Sequence, residues 1–244
     1  MNKSDCIVFD KVTISYGAEE AVRNVSFSVP TGEVFAIVGE SGSGKSTLVS
    51  AAFGMLKQAT ITGQILLNGI DISTLSDSDW RKLRGTEISM IFQNPSAYLN
   101  PNRTVENHFK DLFRAHDESY DASRVIDMLN LVHLDGGERI LQSYPFQLSG
   151  GMQQRLAIAL SLILKPTIVF ADEPTSALDI LVQASVLDLL REVTQALGAT
   201  VVIVTHNIKA AARIANSIGV MLSLIHISEP TRPWLISYAV FCLK

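Results

Sequence analysis

The sequence is poor in cysteine, in charge and in long apolar runs, and each shortage removes a class of protein. Its 244 residues hold two cysteines, Cys6 and Cys242, near opposite ends. That spacing offers neither a disulfide framework nor a thiolate metal site, and it suits a reduced, cytoplasmic setting. No stretch reaches the roughly 18 apolar residues that a membrane-spanning helix needs. The longest, Ile218–Ile227 and Trp234–Leu243, fall short. Work at a membrane would therefore require docking onto another subunit. Met1–Asp10 carries no apolar signal segment. Charged residues make up 18% and the net charge is −4, so a basic nucleic-acid footprint is not expected. Hydrophobic residues make up 47%, enough to build a large core and too many for a disordered chain.

What is present is an alternation of strand and helix patterns without internal repeats. Ile7–Val29 reads as short strands broken at Tyr16-Gly17. Val34–Val38 is a continuous apolar run of the kind a buried parallel strand uses. A glycine-rich loop follows, then a helix from about Lys45 to Met55. A β excursion at Gly63–Asn68 ends in an Asn68-Gly69 turn. Ile88–Phe92 is a further strand. Residues of about 105–165 read as helical, with Val125, Met128, Leu129 and Val132 at helical spacing. Thr167–Ala171, a helix over about Val182–Leu197, and Val201–Val204 complete the pattern. The fold expected is α/β: a mainly parallel sheet with an N-terminal antiparallel β part and an inserted helical subdomain at about 94–160. Ligands in such sheets bind beyond the carboxyl ends of the strands.

Three segments carry chemistry. Gly39-Glu40-Ser41-Gly42-Ser43-Gly44-Lys45-Ser46-Thr47 follows a strand and opens a helix, in the pattern G-x-x-x-x-G-K-[ST]. Its glycines, Gly39, Gly42 and Gly44, let successive N–H groups point at phosphate oxygens. The helix start adds a positive end, Lys45 reaches the β- and γ-phosphates, and Ser46 ligates Mg2+. Ser41 and Thr47 belong to the same cradle. Second, Thr167–Glu173 is an apolar strand ending in two carboxylates. Alone, such a pair is more often a solvated turn. Beside a phosphate loop, Asp172 completes a Mg2+ site and Glu173 suits a general base. Third, Leu148–Arg155 places Ser149 as an N-cap before Gly150 and Gly151, a second anion-receiving helix start. Local physics alone would not lift this above a plain cap.

Together these segments resemble the ATP-binding cassette (ABC) ATPases, a P-loop NTPase family of RecA-like fold, over about Ile7–Met221. LSGGMQQR resembles the family's signature motif. Tyr16 matches the aromatic residue that stacks on adenine, and Gln93 the glutamine that senses Mg2+ and water. Ser176–Asp179 matches the D-loop, and His206 the switch histidine. The resemblance implies head-to-tail pairing of two ATPase domains. ATP would lie between Gly39–Thr47 of one and Ser149–Gly151 of the other, with Asp179 nearby. Glu173 would activate water, and His206 would hold the γ-phosphate. The second ATPase is either another copy or a homologous chain.

Ile91–Pro101 (IFQNPSAYLNP), Asp71–Arg84 and Tyr144–Gln147 resemble the importer branch for oligopeptides, dipeptides and nickel. That implies integral membrane permease subunits as partners, with Asn94–Asn100 as docking surface. An extracytoplasmic substrate-binding protein would act indirectly, and the chain would sit peripherally on the cytoplasmic face of the membrane. The alternatives are an ATPase of another ABC transporter class, or a non-transport ABC protein acting on nucleic acid. Against the latter stand the single cassette and the acidic balance. After Met221 the resemblance ends. Residues 222–244 read as an aberrant tail joined to a truncated cassette, without the further C-terminal extension common in that branch. Deletion of Leu222–Lys244 is therefore expected to leave ATP affinity unchanged. A large loss in a nucleotide titration would contradict this.

Overall fold

A computed structural model describes residues 5–222 and 241–243, with Ile180, Leu181 and 241–243 described by their backbone alone. In chain order the elements are β1 (Asp5–Tyr16), β2 (Glu19–Pro30), β3 (Val34–Gly39), α1 (Lys45–Ala52), β4 (Thr60–Leu67), β5 (Ile70–Asp71), α2 (Asp77–Leu83) and β6 (Ile88–Ile91). There follow α3 (Val105–Ala115), α4 (Ala122–Leu131), α5 (Glu138–Gln142), α6 (Gly150–Leu162), β7 (Ile168–Asp172), α7 (Ile180–Leu197), β8 (Thr200–Thr205), α8 (Ile208–Ile214), β9 (Ser217–Met221) and β10 (Phe241–Leu243). They form two compact units, Met1–Asp77 with Val202–Lys244, and Ser78–Val201.

In the first unit, β2, β1, β4 and β5 make an antiparallel sheet in that order. The break expected at Tyr16-Gly17 is a hairpin between two strands of twelve residues each, longer than the pattern suggested. Bulges absorb the residues that obscured it. Lys11 and Asn24 take positive φ, and their amides donate to Ser26 Oγ and Thr13 Oγ1 on the facing strand, at 2.8 and 2.9 Å. Here β3 lies between β9 and β8, and pairs in parallel with β9 from Phe35↔Ser217 to Gly39↔Met221. Val34–Val38 is buried throughout, as a strand covered on both faces must be. Phe9, Phe27 and Phe35 stack in series, with centroids 4.5 and 4.8 Å apart. Helix α1 stops at Ala52, short of Met55, because Gly54 takes φ 68° and the Met55 amide turns back to Ser50 O at 2.9 Å.

In the second unit, β6 and β7 pair in parallel, with Ile91 opposite Ala171. Between them the described chain is helix and loop. Val105, Phe109 and Phe113 of α3 and Val125, Met128 and Leu129 of α4 are buried. So are Leu156–Ala159 and Leu162 of α6. Thr104 and Asp121 cap α3 and α4, each with a side-chain oxygen accepting from the first turn. Asp179 occupies the N-cap position of α7, and Gly198 at φ 69° ends that helix. Helix α7 starts two residues before the expected Val182.

Of the tail set apart from the sequence, Leu222 and β10 are described. Strand β10 pairs antiparallel to β9, with Phe241 opposite Val220. Trp234, Leu235, Ile236 and Val240 lie outside the described residues. No helix among the described residues is long and apolar enough to cross a membrane.

Candidate nucleotide-binding site

The first unit carries the phosphate-loop candidates. Strand β3 ends at Gly39, and the chain reaches α1 through Gly42 at φ 82° and Gly44 at φ 90°. The loop is wedged against backbone. A Cβ on Gly39 would stand 2.2 Å from Met221 O, and one on Gly44 2.4 Å from Ala21 O. Gly44 is also the N-cap of α1, where it offers no side chain to the first-turn amides. No acidic residue lies in that turn either. The positive end of the helix is therefore not offset by the chain's own carboxylates. Lys45 is 5% exposed. Its ammonium donates to Glu40 O at 2.5 Å and lies 3.3 Å from Ser43 Oγ, so the cation is held within the loop it serves. Ser41 and Ser46 are exposed and Thr47 is half-buried.

A cleft of about 560 Å³ opens beside this loop, the size of a small-molecule site. Gly39, Glu40 and Ser41 form one wall. His206, directly after β8, and Ile208 form another. The structure thus brings Gly39 and Ser41 to one cleft with His206, while Gly42, Gly44, Lys45, Ser46 and Thr47 are not among its lining residues. Tyr16 ends β1, is 42% exposed, and is not among the residues lining it.

In the second unit, the register of β6 and β7 brings three candidates to neighbouring strand ends. Gln93 follows Ile91 by two residues, and Asp172 and Glu173 follow Ala171. Glu173 takes φ 48°, a left-handed conformation that costs a glutamate free energy. Its carbonyl accepts from the amide and hydroxyl of Ser176, both at 3.2 Å, and this tight turn holds the conformation. Beyond Gln93, Asn94 Oδ1 accepts from the Ser96 amide and hydroxyl. The Asn100 amide donates to His108 Nε2 at 3.0 Å, and Arg103 pairs with Asp111. This loop is exposed at Asn94 and Tyr98, and its C-terminal end is held on α3.

The same unit holds a second pocket, of about 350 Å³, in which Ser149, Gly150 and Gly151 face Ala177, Leu178 and Asp179. Ser149 is the N-cap of α6, as expected from its sequence, but its hydroxyl accepts from the Met152 amide only at 3.4 Å. Gly151 has a packing reason to be glycine besides an exposed amide. A Cβ there would stand 2.9 Å from Val182 Cγ1 on α7. Val182, Gln153 and Gln183 shape this pocket's rims, and the sequence reading missed all three. The one signal was spacing: each glutamine follows by five residues a loop carbonyl that it grips.

Mg2+ takes oxygen ligands, and Ser46, Asp172 and Gln93 offer oxygens. No cluster of three or more His, Cys, Asp or Glu residues suited to a metal exists among the described residues.

The ABC transporter family pattern matches residues 22–176, and the chain belongs to that family. Among its relatives, the dipeptide transport ATP-binding protein DppD of Bacillus subtilis is 45% identical over 212 residues. That match takes in 84% of this chain and 63% of that protein. The oligopeptide transport ATP-binding protein OppD of Lactococcus lactis subsp. cremoris is 39% identical over 208 residues, 83% of this chain and 62% of that protein. The chain therefore spans rather less than two thirds of the length of these relatives. Among solved structures, the ATP-binding cassette MJ0796, in a dimeric post-hydrolysis state bound to ADP and Pi, matches with a TM-score of 0.75. It is 32% identical, over 88% of this chain and 94% of that one. The structure of cbiO1 from Clostridium perfringens, part of the ABC transporter complex cbiONQ, matches with a TM-score of 0.77 at 29% identity, over 90% of this chain and 85% of that one. The α/β fold of a parallel core with an antiparallel sheet is thus that of the ABC cassettes.

Gly151→Ala is expected to disturb the Ser149 pocket by pressing on Val182, at about 1–3 kcal/mol of stability. The second change Val182→Ala should recover part of that loss. Chemical denaturation of the single and double variants reads both, and an additive double variant would contradict the contact.

Proposed function

We propose that this chain is the ATP-binding and ATP-hydrolysing subunit of an ABC importer, and that ATP drives closure of two such subunits upon each other. One observation carries the reading. A single chain holds two pockets, one lined by Gly39, Glu40 and Ser41 at the start of the glycine loop together with His206, and one lined by Ser149–Gly151 with Asp179. Each offers half of what a triphosphate needs, and head-to-tail pairing of two chains would complete both. The dimeric relative bound to ADP and Pi supports this arrangement.

In this reading the amides of Gly39–Thr47 and the Lys45 ammonium hold the phosphates, and Tyr16 stacks on adenine. Ser149, Gly150 and Gly151 of the opposite chain close on the γ-phosphate. Glu173 accepts the proton of the attacking water, while His206 and Gln93 orient water and phosphate. Mg2+, when bound, supplies a Lewis acid that offsets phosphate charge, with Ser46, Asp172 and Gln93 as its protein oxygens. ATP then acts as the bond between the two ATPases and its hydrolysis as the release, a population shift driven by contacts made only in the closed state.

The names of the relatives favour dipeptides or oligopeptides as cargo over nickel or metal chelates. Permease subunits would dock at Asn94–Asn100, the exposed loop whose C-terminal end is held by the Asn100 amide on His108, with Arg103 just beyond it paired to Asp111. The chain would then sit peripherally at the cytoplasmic face, serving an extracytoplasmic binding protein through the permease. The cassette boundary after Met221, with a helical subdomain at about 94–160, belongs to the same reading.

Glu173→Gln tests the core of it. The variant is expected to lose at least about 100-fold in turnover, keep nucleotide binding, and accumulate as an Mg-ATP-dependent dimer in size-exclusion chromatography. Turnover at the wild-type rate would remove Glu173 from the chemistry. A variant that binds ATP yet stays monomeric would point to a different chain as the second ATPase or to interference from residues 222–244, and repeating the run without Leu222–Lys244 separates the two.

A further inference from the structure

The two helices that wall the Ser149 pocket begin with the same device. Gln153, the fourth residue of α6, donates from Nε2 to Leu148 O at 3.1 Å and to Pro145 O at 2.9 Å. Gln183, the fourth residue of α7, donates from Nε2 to Leu178 O at 3.0 Å. In each case the gripped carbonyl belongs to the residue just before the N-cap. The backbone amide of each glutamine also closes the first helical turn, Gln153 onto Ser149 O at 2.8 Å and Gln183 onto Asp179 O at 2.9 Å. Each glutamine thus ties its helix to the loop that enters it, over both sides of the N-cap residue.

The N-cap side chains themselves do little of this work. A serine or aspartate in that position ordinarily gives its oxygen to a first-turn amide and so fixes the helix entry. Ser149 does so only at 3.4 Å, beyond good hydrogen-bond range, and Asp179 makes no side-chain cap bond at all. Both side chains face the pocket of about 350 Å³. The loops are held, but by glutamines that stand outside its lining.

We propose that Gln153 and Gln183 are positioning residues for the phosphate-closing pocket. They take over the capping role so that the Ser149 hydroxyl and the Asp179 carboxylate stay available to nucleotide and partner chain. This rests on the ATPase reading above. It deepens that reading by separating what holds the pocket from what binds in it. Gln153 Nε2 makes two hydrogen bonds on the α6 side and Gln183 Nε2 one on the α7 side, so the Ser149 rim is the more firmly fixed of the two.

The test compares Gln153→Met and Gln183→Met, which keep side-chain length and lose the donor, with Gln153→Lys and Gln183→Lys, which restore one. Each Met variant should lower the turnover number for Mg-ATP about tenfold, as expected for loss of one or two hydrogen bonds. The Michaelis constant, set by the Gly39–Thr47 loop, should stay within about twofold, and the Lys variants should recover most of the rate. Amide hydrogen exchange is read in parallel. The Leu148 and Gln153 amides in one variant, and those of Leu178 and Gln183 in the other, should exchange about tenfold faster than in the wild type. Wild-type turnover with unchanged exchange in the Met variants would overturn the proposal. So would a rate loss matched by a raised Michaelis constant and not recovered by lysine, which would mark a purely structural role. A wild-type chain without any turnover would instead strike at the ATPase reading, and the exchange rates alone would then decide whether the clamps exist.

Discussion

The carbonyls of Met221 and Ala21 stand where any side chain at Gly39 or Gly44 would begin, 2.2 and 2.4 Å from the nearest possible Cβ. This close fit ties the phosphate-loop candidate to β9 on one side and to β2 on the other. The loop can therefore hold its curl, with Gly42 and Gly44 at positive φ, and keep the first turn of α1 turned toward a ligand. Lys45 depends on the same constraint. A buried ammonium is costly unless it is bonded, and the curl brings Glu40 O and Ser43 Oγ to it. A phosphate entering the cleft would offer that cation stronger, charge-assisted bonds than the loop's own carbonyl.

The Ser149 pocket solves a different problem by the opposite means. The Gly39–Thr47 loop is held by backbone contacts that leave no room for a side chain at Gly39 or Gly44. The second pocket is held by side chains, Gln153 and Gln183, that act from behind its rims. Gly151 joins the two schemes. It exposes an amide at the start of α6 and lets Val182 of α7 approach closely. A pocket assembled from helix starts in this way can be displaced as a unit. On the proposed function, that would suit a surface closing on nucleotide and releasing it in each cycle.

Much of this was legible in the sequence, because the decisive features are local. The apolar run Val34–Val38, the glycines after it and the Lys45-Ser46 pair specify strand, loop and helix within fourteen residues. Ser149 before Gly150-Gly151 reads directly as a helix start. The carboxyl ends of β6 and β7 could be named from their apolar runs, although their pairing needs the register of Ile91 with Ala171. What escaped has physical reasons. Strands β1 and β2 looked short because Lys11 and Asn24 sit at bulges that interrupt the alternation without ending the strand. The left-handed Glu173 is fixed by a turn onto Ser176, and nothing in glutamate's own propensity announces it. Val182 matters through a contact from α7 to α6, thirty-one positions along the chain, which no local pattern carries. Gln153 and Gln183 look like ordinary polar residues on helix surfaces until their carbonyl partners are seen.

The central claim is that Gly39–Thr47 receives the phosphates of ATP through its amides and Lys45. Calorimetric titration of Mg-ATP into the wild-type chain and into Lys45→Ala addresses it most directly. The account predicts one saturable site per chain in the wild type and an affinity at least about tenfold lower in the variant, since a charge-assisted contact to phosphate is lost. Equal affinity in the two proteins, or no binding by a folded wild-type chain, would contradict it.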